Sequence, residues 1–131
     1  MSYSFTIHPD DKVIIVIFEG EVSFSELNQV RDDFHQHPEY HEYLSGVYDF
    51  RNAKKTLTPQ ELQALNKRTE TEIHQFPAKG KWCSINTSPV ETAYSSLYKH
   101  NLNLIHLYEV FSTVQGASDY LNIDLKKYLD Q

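Results

Sequence analysis

Cysteine and glycine are scarce in this sequence of 131 residues, which contains one cysteine and four glycines. The lone Cys83 excludes a disulfide bond within the chain. It falls within a predicted strand, so we interpret it as a small buried apolar residue. The glycines form neither a G-x-G-x-x-G fingerprint nor a P-loop, and the sequence has no G-x-S-x-G elbow. The motifs of nucleotide-binding loops and of serine hydrolases are therefore missing.

Positive charge and long apolar runs are also in short supply. Lys and Arg number 12 against 18 Asp and Glu, which gives a formal net charge of -6. This balance argues against binding to nucleic acid and against docking on an anionic membrane by charge. The longest apolar run, residues 13–18, is too short to cross a bilayer, and the N-terminal residues do not resemble a signal peptide. We expect a cytoplasmic protein without an integral membrane segment.

Apolar residues make up 40% of the chain and aromatic residues 13%. A chain of this length and composition can bury one hydrophobic core, so we expect a single domain over residues 1–131. Residues 2–8 alternate like a half-buried strand, and residues 13–18 are continuous and β-branched like a fully covered one. Together they predict an antiparallel hairpin. Further strands are predicted over residues 44–50, 81–86 and 104–110.

Helices are predicted between these strands. Capping boxes of the form Ser/Thr-x-x-Glu begin at Ser23, Thr58 and Ser88, and a fourth helix is predicted over residues 113–121 with a final turn over 124–129. The order β-β-α-β-α-β-α-β-α predicts an α/β fold. We expect a mixed, mostly parallel five-stranded sheet with an antiparallel N-terminal edge hairpin and about four helices largely on one face.

Alternation along the last two strands predicts two unlike sheet faces. Cys83 and Ile85 belong to an apolar face. The opposite face takes polar and aromatic residues: Trp82, Ser84, Asn86, His106 and Tyr108. We interpret this mixed face as a surface for solvent, for a second copy of the chain or for a ligand. In the third helix we expect these residues to face inward: Val90, Ala93, Leu97 and either Tyr94 or Tyr98.

Three histidines lie close together at the end of the first predicted helix: His35, His37 and His41. Their spacing differs from the i, i+4 spacing that helical metal sites use, and histidine at a helix C-terminus is favoured by the helix dipole alone. We therefore expect no metal site and no cofactor, although a weak surface site for added zinc or nickel stays open.

The segment after the third strand holds the best candidate interaction site. Asp49 lies at the carboxyl end of that strand, the edge at which open α/β sheets place their sites, and the alternative is that it pairs with Arg51. A basic loop then leads to Thr58, which we predict to be a helix N-cap. The candidate corner comprises Asp49, Arg51, Lys54, Lys55, Thr56 and Thr58.

Four segments in this order give the chain a resemblance to STAS-like domains: EGEVSFSEL, LSGVYDFRNAKKTLTPQEL, KWCSINTSPVETAYSSLYK and LYEVF. These domains have the anti-anti-sigma-factor fold, and the resemblance is to their stand-alone bacterial branch, related to CRAL-TRIO lipid carriers. It implies sequential strands with helices largely on one face. It also places Thr58 at the position phosphorylated by a partner kinase in signalling members. The family has an Asp-Ser-Ser-Gly pattern at this position. Apart from Thr58 at the acceptor position, the residues of that pattern are absent from the corresponding positions of this sequence.

Three functions follow, in decreasing order of support. The first is a non-catalytic regulatory or protein-interaction module that uses the corner. The second, which the resemblance implies, is a small carrier of a lipid or other apolar ligand. Its candidate surface, which could equally serve a homodimer, comprises Trp82, Tyr94, Tyr98, His106 and Tyr108. An enzyme comes last, because we find no assembled acid, base or nucleophile. A homodimer could also form through the first strand.

Overall fold

The computed structural model describes the backbone of residues 2–75, 79–102 and 108–130, and the side chains in these ranges except at 72–75 and 97–102. Its strands are β1 (Tyr3–His8), β2 (Val13–Ser23), β3 (Ser45–Thr56), β4 (Trp82–Ile85) and β5 (Tyr108–Phe111). Its helices are α1 (Phe24–His35), α2 (Pro59–Gln75), α3 (Pro89–Leu102) and α4 (Val114–Leu121), followed by a 3-10 helix (Leu125–Lys127). Within the described residues, no helix has both the length and the apolar character needed to cross a membrane.

The five strands form one sheet in the order β1-β2-β3-β4-β5. β1 pairs with β2 in antiparallel fashion, and every other neighbouring pair is parallel. The predicted α/β fold with an antiparallel edge hairpin is therefore confirmed. Ser23 caps α1 as expected, because its hydroxyl accepts the N–H of Glu26 while the Glu26 carboxylate accepts the N–H of Ser23.

β2 and β3 are longer than the sequence predicted. After a register irregularity near Phe18, residues 19–23 of β2 pair with residues 52–56 of β3. β4 pairs only with residues 46–49, so these two segments form a two-stranded ribbon that extends past β4. The predicted basic loop after Phe50 is thus wrong. Its polar sequence hid the strand, because a ribbon covered mainly on one side needs few apolar residues.

The two faces of the sheet are covered by different helices. Helices α1–α3 lie over one face, where α1 and α2 pack on Ile14, Val16 and Phe18 of β2 and α3 lies over β3 and β5. On the other face, α4 and the 3-10 helix pack on a second set of sheet residues, which includes Val13, Ile15, Val47, Cys83 and Ile85. Side chains that alternate along β2 therefore serve both cores. Three of the four helices share a face, as predicted.

The mixed polar-aromatic face is the one beneath α1–α3, which corrects the idea that it is open to solvent or to a second copy. Ser84 and Asn86 are buried, and Tyr108 is only 5% exposed. Trp82 packs against Phe34 of α1, with ring centroids 5.7 Å apart. The helices that cover this face leave room there only for a ligand small enough to fit beneath them.

The buried side of α3 also differs from the prediction. Val90 is 59% exposed and Ala93 is exposed, whereas Glu91 and Ser95 are each 3% exposed. The prediction assumed that the helix would bury its apolar residues. It is wrong for Val90 and Ala93, because α3 packs against polar groups of the sheet, Lys55 and Asn86, which are themselves buried. Tyr94 does face inward, where its hydroxyl donates to the carbonyl of Leu57, and the side chains of Leu97 and Tyr98 lie outside the described residues.

Gly46 fixes how β3 and β4 meet beneath α1. A Cβ atom at this position would lie 2.1 Å from the indole of Trp82, its register partner on β4. Any side chain here would displace the tryptophan, which also packs against Tyr48. The glycine therefore lets the largest aromatic side chain of the protein lie directly on the strand backbone.

Candidate functional site

The six residues of the predicted corner do not share one surface. Alternation along the end of β3 turns Lys54 and Thr56 to solvent and buries Lys55, which is 7% exposed. Asp49 is also buried, at 3% exposure, and lies with Arg51 on the α4 side of the sheet. We use the name ribbon corner for the exposed set alone: Lys54, Thr56 and Thr58.

Thr58 is the N-cap that the sequence predicted. Its Oγ1 accepts the backbone N–H of Glu61 at 3.1 Å, and its own N–H donates to the Glu61 carboxylate at 2.9 Å. These bonds complete the capping box and satisfy donors that the start of α2 would otherwise leave open. The hydroxyl of Thr58 is therefore already engaged in holding the helix.

Asp49 and Arg51 form a bidentate pair at the carboxyl end of β3. The guanidinium donates from Nε to Oδ1 and from Nη2 to Oδ2 of Asp49, both at 2.9 Å. The hydrogen bond to Asp49 raises the pKa of Arg51, and Arg51 also donates to the carbonyl oxygen of Asp130. The pair thus fastens the C-terminal segment to the sheet. It satisfies both oxygens of Asp49, as the pairing interpretation expected.

This pair borders a polar groove of about 760 Å³ between the strand ends and the start of α4. Besides Asp49 and Arg51, the charged side chains on its wall are Glu19 and Asp130. Three carboxylates therefore face one guanidinium that is already paired. The groove is wide, but its described residues present no assembled set of groups that would bind one particular ligand.

A second cavity, of about 50 Å³, lies on the other face between the sheet and helices α1–α3. We call it the inner cavity. Its apolar lining comes from Leu27, Val30, Phe50, Leu57, Leu62 and Leu65. Its polar lining comes from Arg31, Tyr48, Lys55, Tyr94, Ser95 and Tyr108. An apolar space with a few convergent polar groups is the usual form of a ligand site.

Lys55 is the central polar group of the inner cavity. Its ammonium lies 3.2 Å from the hydroxyl of Ser95, 3.7 Å from the carboxylate of Glu91 and 3.8 Å above the centroid of the Phe50 ring. Burial lowers the pKa of Lys55 to about 8, against the opposing effect of Glu91. At neutral pH the site therefore holds a protonated amine that has lost most of its water.

A chain of hydrogen bonds anchors the groups around Lys55. Ser95 donates to the Asn86 side-chain carbonyl at 3.1 Å, and the Asn86 amide donates to the Ser84 hydroxyl at 3.0 Å. Glu91 accepts the backbone N–H of Lys55 at 2.9 Å. The network joins β3, β4 and α3. Such fully buried networks hold their members in one geometry.

Arg31 supplies a second positive charge to the inner cavity. It is 7% exposed, and its Nη1 donates to the Thr69 hydroxyl of α2 at 2.6 Å. Thr69 in turn donates to the carbonyl of Leu65 at 3.1 Å. Among the described residues that line the cavity there are two cationic side chains and no carboxylate. Glu91, which is not among these lining residues, pairs with Lys55 at 3.7 Å and offsets its charge.

The predicted aromatic surface is divided by the structure. Tyr94 and Tyr108 line the inner cavity. Trp82 lies beside them in an aromatic cluster with Phe34 and Tyr48, but does not line the cavity. The side chain of Tyr98 and the whole of His106 lie outside the described residues. Two of the five predicted residues are thus brought together at one site.

The three clustered histidines have separate surroundings. His35 packs edge-on against the ring of Tyr40, with centroids 4.9 Å apart. The Nδ1 of His37 accepts the N–H of Glu39 at 3.1 Å, and the Nδ1 of His41 accepts the N–H of Tyr43 at 3.3 Å. Within the described part of the chain, no three His, Cys, Asp or Glu side chains are grouped so that they could hold a metal ion.

Cys83 is fully buried, as the sequence predicted, and its burial raises the pKa of the thiol to about 12. A thiol that stays protonated at neutral pH is a poor nucleophile. Sequence reasoning missed Glu91 and Ser95 as site residues, because it assigned Glu91 only to a helix cap. No sequence signal could have found them, because Lys55 faces this side only through the register shift in which β3 has one residue more than β2 between Asp49 and Asn52.

A comparison with solved structures finds a fold similar to that of an uncharacterized protein of the DUF3478 family with a SpoIIAA-like fold, from Shewanella loihica PV-4. The TM-score is 0.57 at 10% sequence identity, and the match covers 91% of each chain. At this identity the likeness establishes the fold alone, and the resemblance to STAS-like domains is confirmed at that level. No protein-family profile and no curated protein matches the sequence.

Proposed function

We propose that this protein is a non-catalytic regulatory module of STAS-like type, which binds a protein partner through the ribbon corner. The observation that supports this function best is the projection of the β2–β3 ribbon beyond β4. The projection exposes Lys54, Thr56 and Thr58 together at one end of the molecule, where the ribbon meets the start of α2. Exposed residues on a rigid support are typical of recognition sites.

Charge at the corner would decide which partners bind. Lys54 lies opposite Glu21 in the ribbon register, and both side chains are exposed. This pair gives the corner one charge of each sign, in a protein whose net charge is -6. Reversal of the charge at Lys54 would leave the corner and its neighbour Glu21 with negative charge only. An acidic partner surface would then be repelled.

The test is affinity capture from extracts of the native cells, with the purified full chain as bait. Lys54→Glu is compared with Lys126→Glu, a charge reversal at an exposed lysine of the C-terminal 3-10 helix. We expect a partner whose recovery falls at least tenfold with Lys54→Glu and is unchanged with Lys126→Glu. If every captured protein responds equally to the two variants, the ribbon corner is not the binding surface.

A negative charge at Thr58 can be tested without damage to the helix. Thr58→Asp and Thr58→Asn are both good N-caps, and they differ mainly in charge. A partner regulated by phosphorylation at this position would bind the Asn variant like the wild type and would lose the Asp variant. Equal binding to both variants would leave the corner as a contact surface and remove the phosphorylation switch.

The second candidate function is a carrier for a small apolar ligand, and it is favoured by the inner cavity. Mass spectrometry of solvent extracts from protein purified from its own cells would detect such a ligand. A reproducibly enriched compound supports the carrier, whereas its absence from repeated extracts counts against it. A cytoplasmic location and a homodimer through β1, an edge strand of the sheet, stay predictions.

A further inference from the structure

We propose that two copies of this chain pair through β1, antiparallel and in a register centred on Phe5, and so join their two sheets into one. The dimer involves neither the ribbon corner nor the inner cavity. Three properties of β1 support it: its position at an edge of the sheet, the direction of its backbone groups and the side chains on its two faces.

β1 is an edge strand without the usual protection. Among the described residues, β2 is the only strand that pairs with it. Its six residues include no Pro, Lys, Arg, Asp or Glu, and its register with β2 continues from Tyr3 to His8 without a bulge. Such features protect open edges in natural proteins, because an unprotected edge pairs with other strands. At the opposite edge, β5 carries the charged Glu109. β1 is therefore the edge that is suited to pairing.

The backbone of β1 offers three sets of hydrogen-bonding groups to a partner. The N–H of Glu19 donates to the carbonyl of Ser2 at 2.8 Å, and the register of the two strands places these residues opposite each other. In an antiparallel ladder, residues that bond to the neighbouring strand alternate with residues whose N–H and C=O groups point away from it. Tyr3, Phe5 and Ile7 therefore point these groups at the open edge.

A second β1 strand fits these groups when it runs antiparallel and is centred on Phe5. Phe5 then lies opposite Phe5 of the partner subunit, and Tyr3 lies opposite Ile7 of the partner subunit. Each opposite pair exchanges two hydrogen bonds. A register shifted by two residues would pair only two of the three outward residues. The centred register has two-fold symmetry, so both copies use the same surface and the assembly closes at two subunits.

The side chains of β1 also match those of a second copy in this register. Opposite residues of an antiparallel pair lie on the same face of the sheet. On the face beneath α1, Phe5 and Ile7 are partly exposed, although the ring of Phe5 packs against that of Phe34 at 6.3 Å. The apolar side chains of a second copy would cover this surface. On the other face, the exposed Ser4 lies opposite the exposed Thr6, and such hydroxyl pairs stabilise neighbouring strands.

An uncharged edge suits the association of two acidic copies. The chain has a net charge of -6, so two copies repel each other, but β1 adds no negative charge to this repulsion. Glu26 and Asp33, the acidic side chains of α1 beside the edge, accept hydrogen bonds from Ser2 and Tyr3 of their own copy. One strand from each copy forms a contact smaller than the ~1,200–2,000 Å² of a standard interface, so we expect a dissociation constant of about 10–100 μM.

The experiment measures the mass of the full chain in solution by sedimentation velocity. Concentrations from about 5 to 500 μM span the expected dissociation constant. We expect the wild type to change from monomer to dimer over this range. Circular dichroism checks that each variant below is folded.

Two double variants test the register. Ser4→Lys/Thr6→Lys places lysine opposite lysine at both Ser4–Thr6 positions of the dimer, whereas Ser4→Lys/Thr6→Glu places lysine opposite glutamate at both. The two variants change the same exposed side chains and lose the same hydrogen bond between Thr6 and His8. We expect the first to weaken the dimer at least about tenfold and the second to keep it within about threefold of the wild type. The added lysines of the first variant reduce the net negative charge of the chain, which by itself would favour association.

Hydrogen exchange gives a second readout, without any variant. In the dimer the N–H groups of Tyr3, Phe5 and Ile7 become hydrogen-bonded, so their exchange should slow as the protein concentration rises. The N–H groups of Ser4 and Thr6 are bonded to β2 at every concentration and serve as the control.

A wild type that stays monomeric at the highest concentration overturns the proposal and leaves the edge to an extended segment of another protein. A dimer that is unchanged in Ser4→Lys/Thr6→Lys, or that leaves the exchange of Phe5 unchanged, forms through another surface. A dimer that is lost equally in both double variants does not have this register. Each of these results contradicts the pairing proposed for β1.

Discussion

Beneath α4 the middle of the sheet is aliphatic and close-packed, with the Asp49–Arg51 pair only at its edge, whereas beneath α1–α3 the sheet is aromatic and contains a network of buried polar groups. The first face carries Val13, Ile15, Val47 and Ile85, each at most 1% exposed. The second face carries Lys55, linked through hydrogen bonds to α3 and bordering the inner cavity. Since burying a charge costs free energy, the second face is the less favourable arrangement for stability.

Because of this difference, the two faces have different roles in the protein. The aliphatic layer formed by Val13, Ile15, Val47 and Ile85 stabilises the fold through burial, and these four side chains have no polar group with which to bind a ligand. The other face gives up part of that stability to position an ammonium, a carboxylate and two hydroxyl groups in one place. One sheet can do both because successive residues of a strand point to opposite sides.

Substitutions at two neighbouring residues of β4 should give the largest change in the free energy of unfolding. Ile85 and Ser84 are both fully buried, on opposite faces. Ile85→Ala should lower the free energy of unfolding by about 2–5 kcal/mol, because it leaves a cavity in a tightly packed layer. Ser84→Ala should cost about 1 kcal/mol, because it removes the acceptor of the Asn86 amide at 3.0 Å. Urea denaturation of both variants measures these changes in the free energy of unfolding. An equal cost would show that the polar face is as important for stability.

A second, smaller effect is the change in the free energy of unfolding with pH, and it depends on Lys55. The pKa of Lys55 is lowered from 10.5 to about 8 in the folded protein. Below pH 8 the amine is charged in both states. Between pH 8 and 10.5 the folded protein loses this proton first, so the unfolded chain binds more protons and the free energy of unfolding rises with pH. The full shift corresponds to about 3–3.5 kcal/mol.

That rise is measured as the difference between the wild type and Lys55→Met/Glu91→Gln at pH 7.5, 8.5 and 9.5. Other groups titrate in this range or just above it. Burial raises the pKa values of Cys83 and Tyr3 to about 12, and a hydrogen bond to Asp11 raises that of Tyr128 to about 12. The contribution of these three groups to the free energy of unfolding falls as pH rises. Because all three are present in both proteins, this fall cancels in the difference. A difference that stays flat with pH would mean that Lys55 is not desolvated.

Periodicity and capping motifs were sufficient to predict the order of the elements, the antiparallel edge and the caps at Ser23 and Thr58. These features depend on local sequence, which is why they could be found. The inner cavity could not be predicted, since it depends on how α3 packs across β3. Glu91 and Ser95 become site residues only because Lys55 points inward 36 and 40 positions earlier in the chain. The ribbon was missed for a similar reason, as its exposed residues lack an apolar pattern.

The smallest effect is expected at Thr58, on the surface and away from both faces. Thr58→Ala should lower the free energy of unfolding by about 1 kcal/mol, because the N–H of Glu61 loses its acceptor at 3.1 Å. Thr58→Asn should stay within a few tenths of a kcal/mol of the wild type. Equal stability of the Ala and Asn variants would show that the cap contributes little, and that packing of α2 on the sheet holds this helix in place.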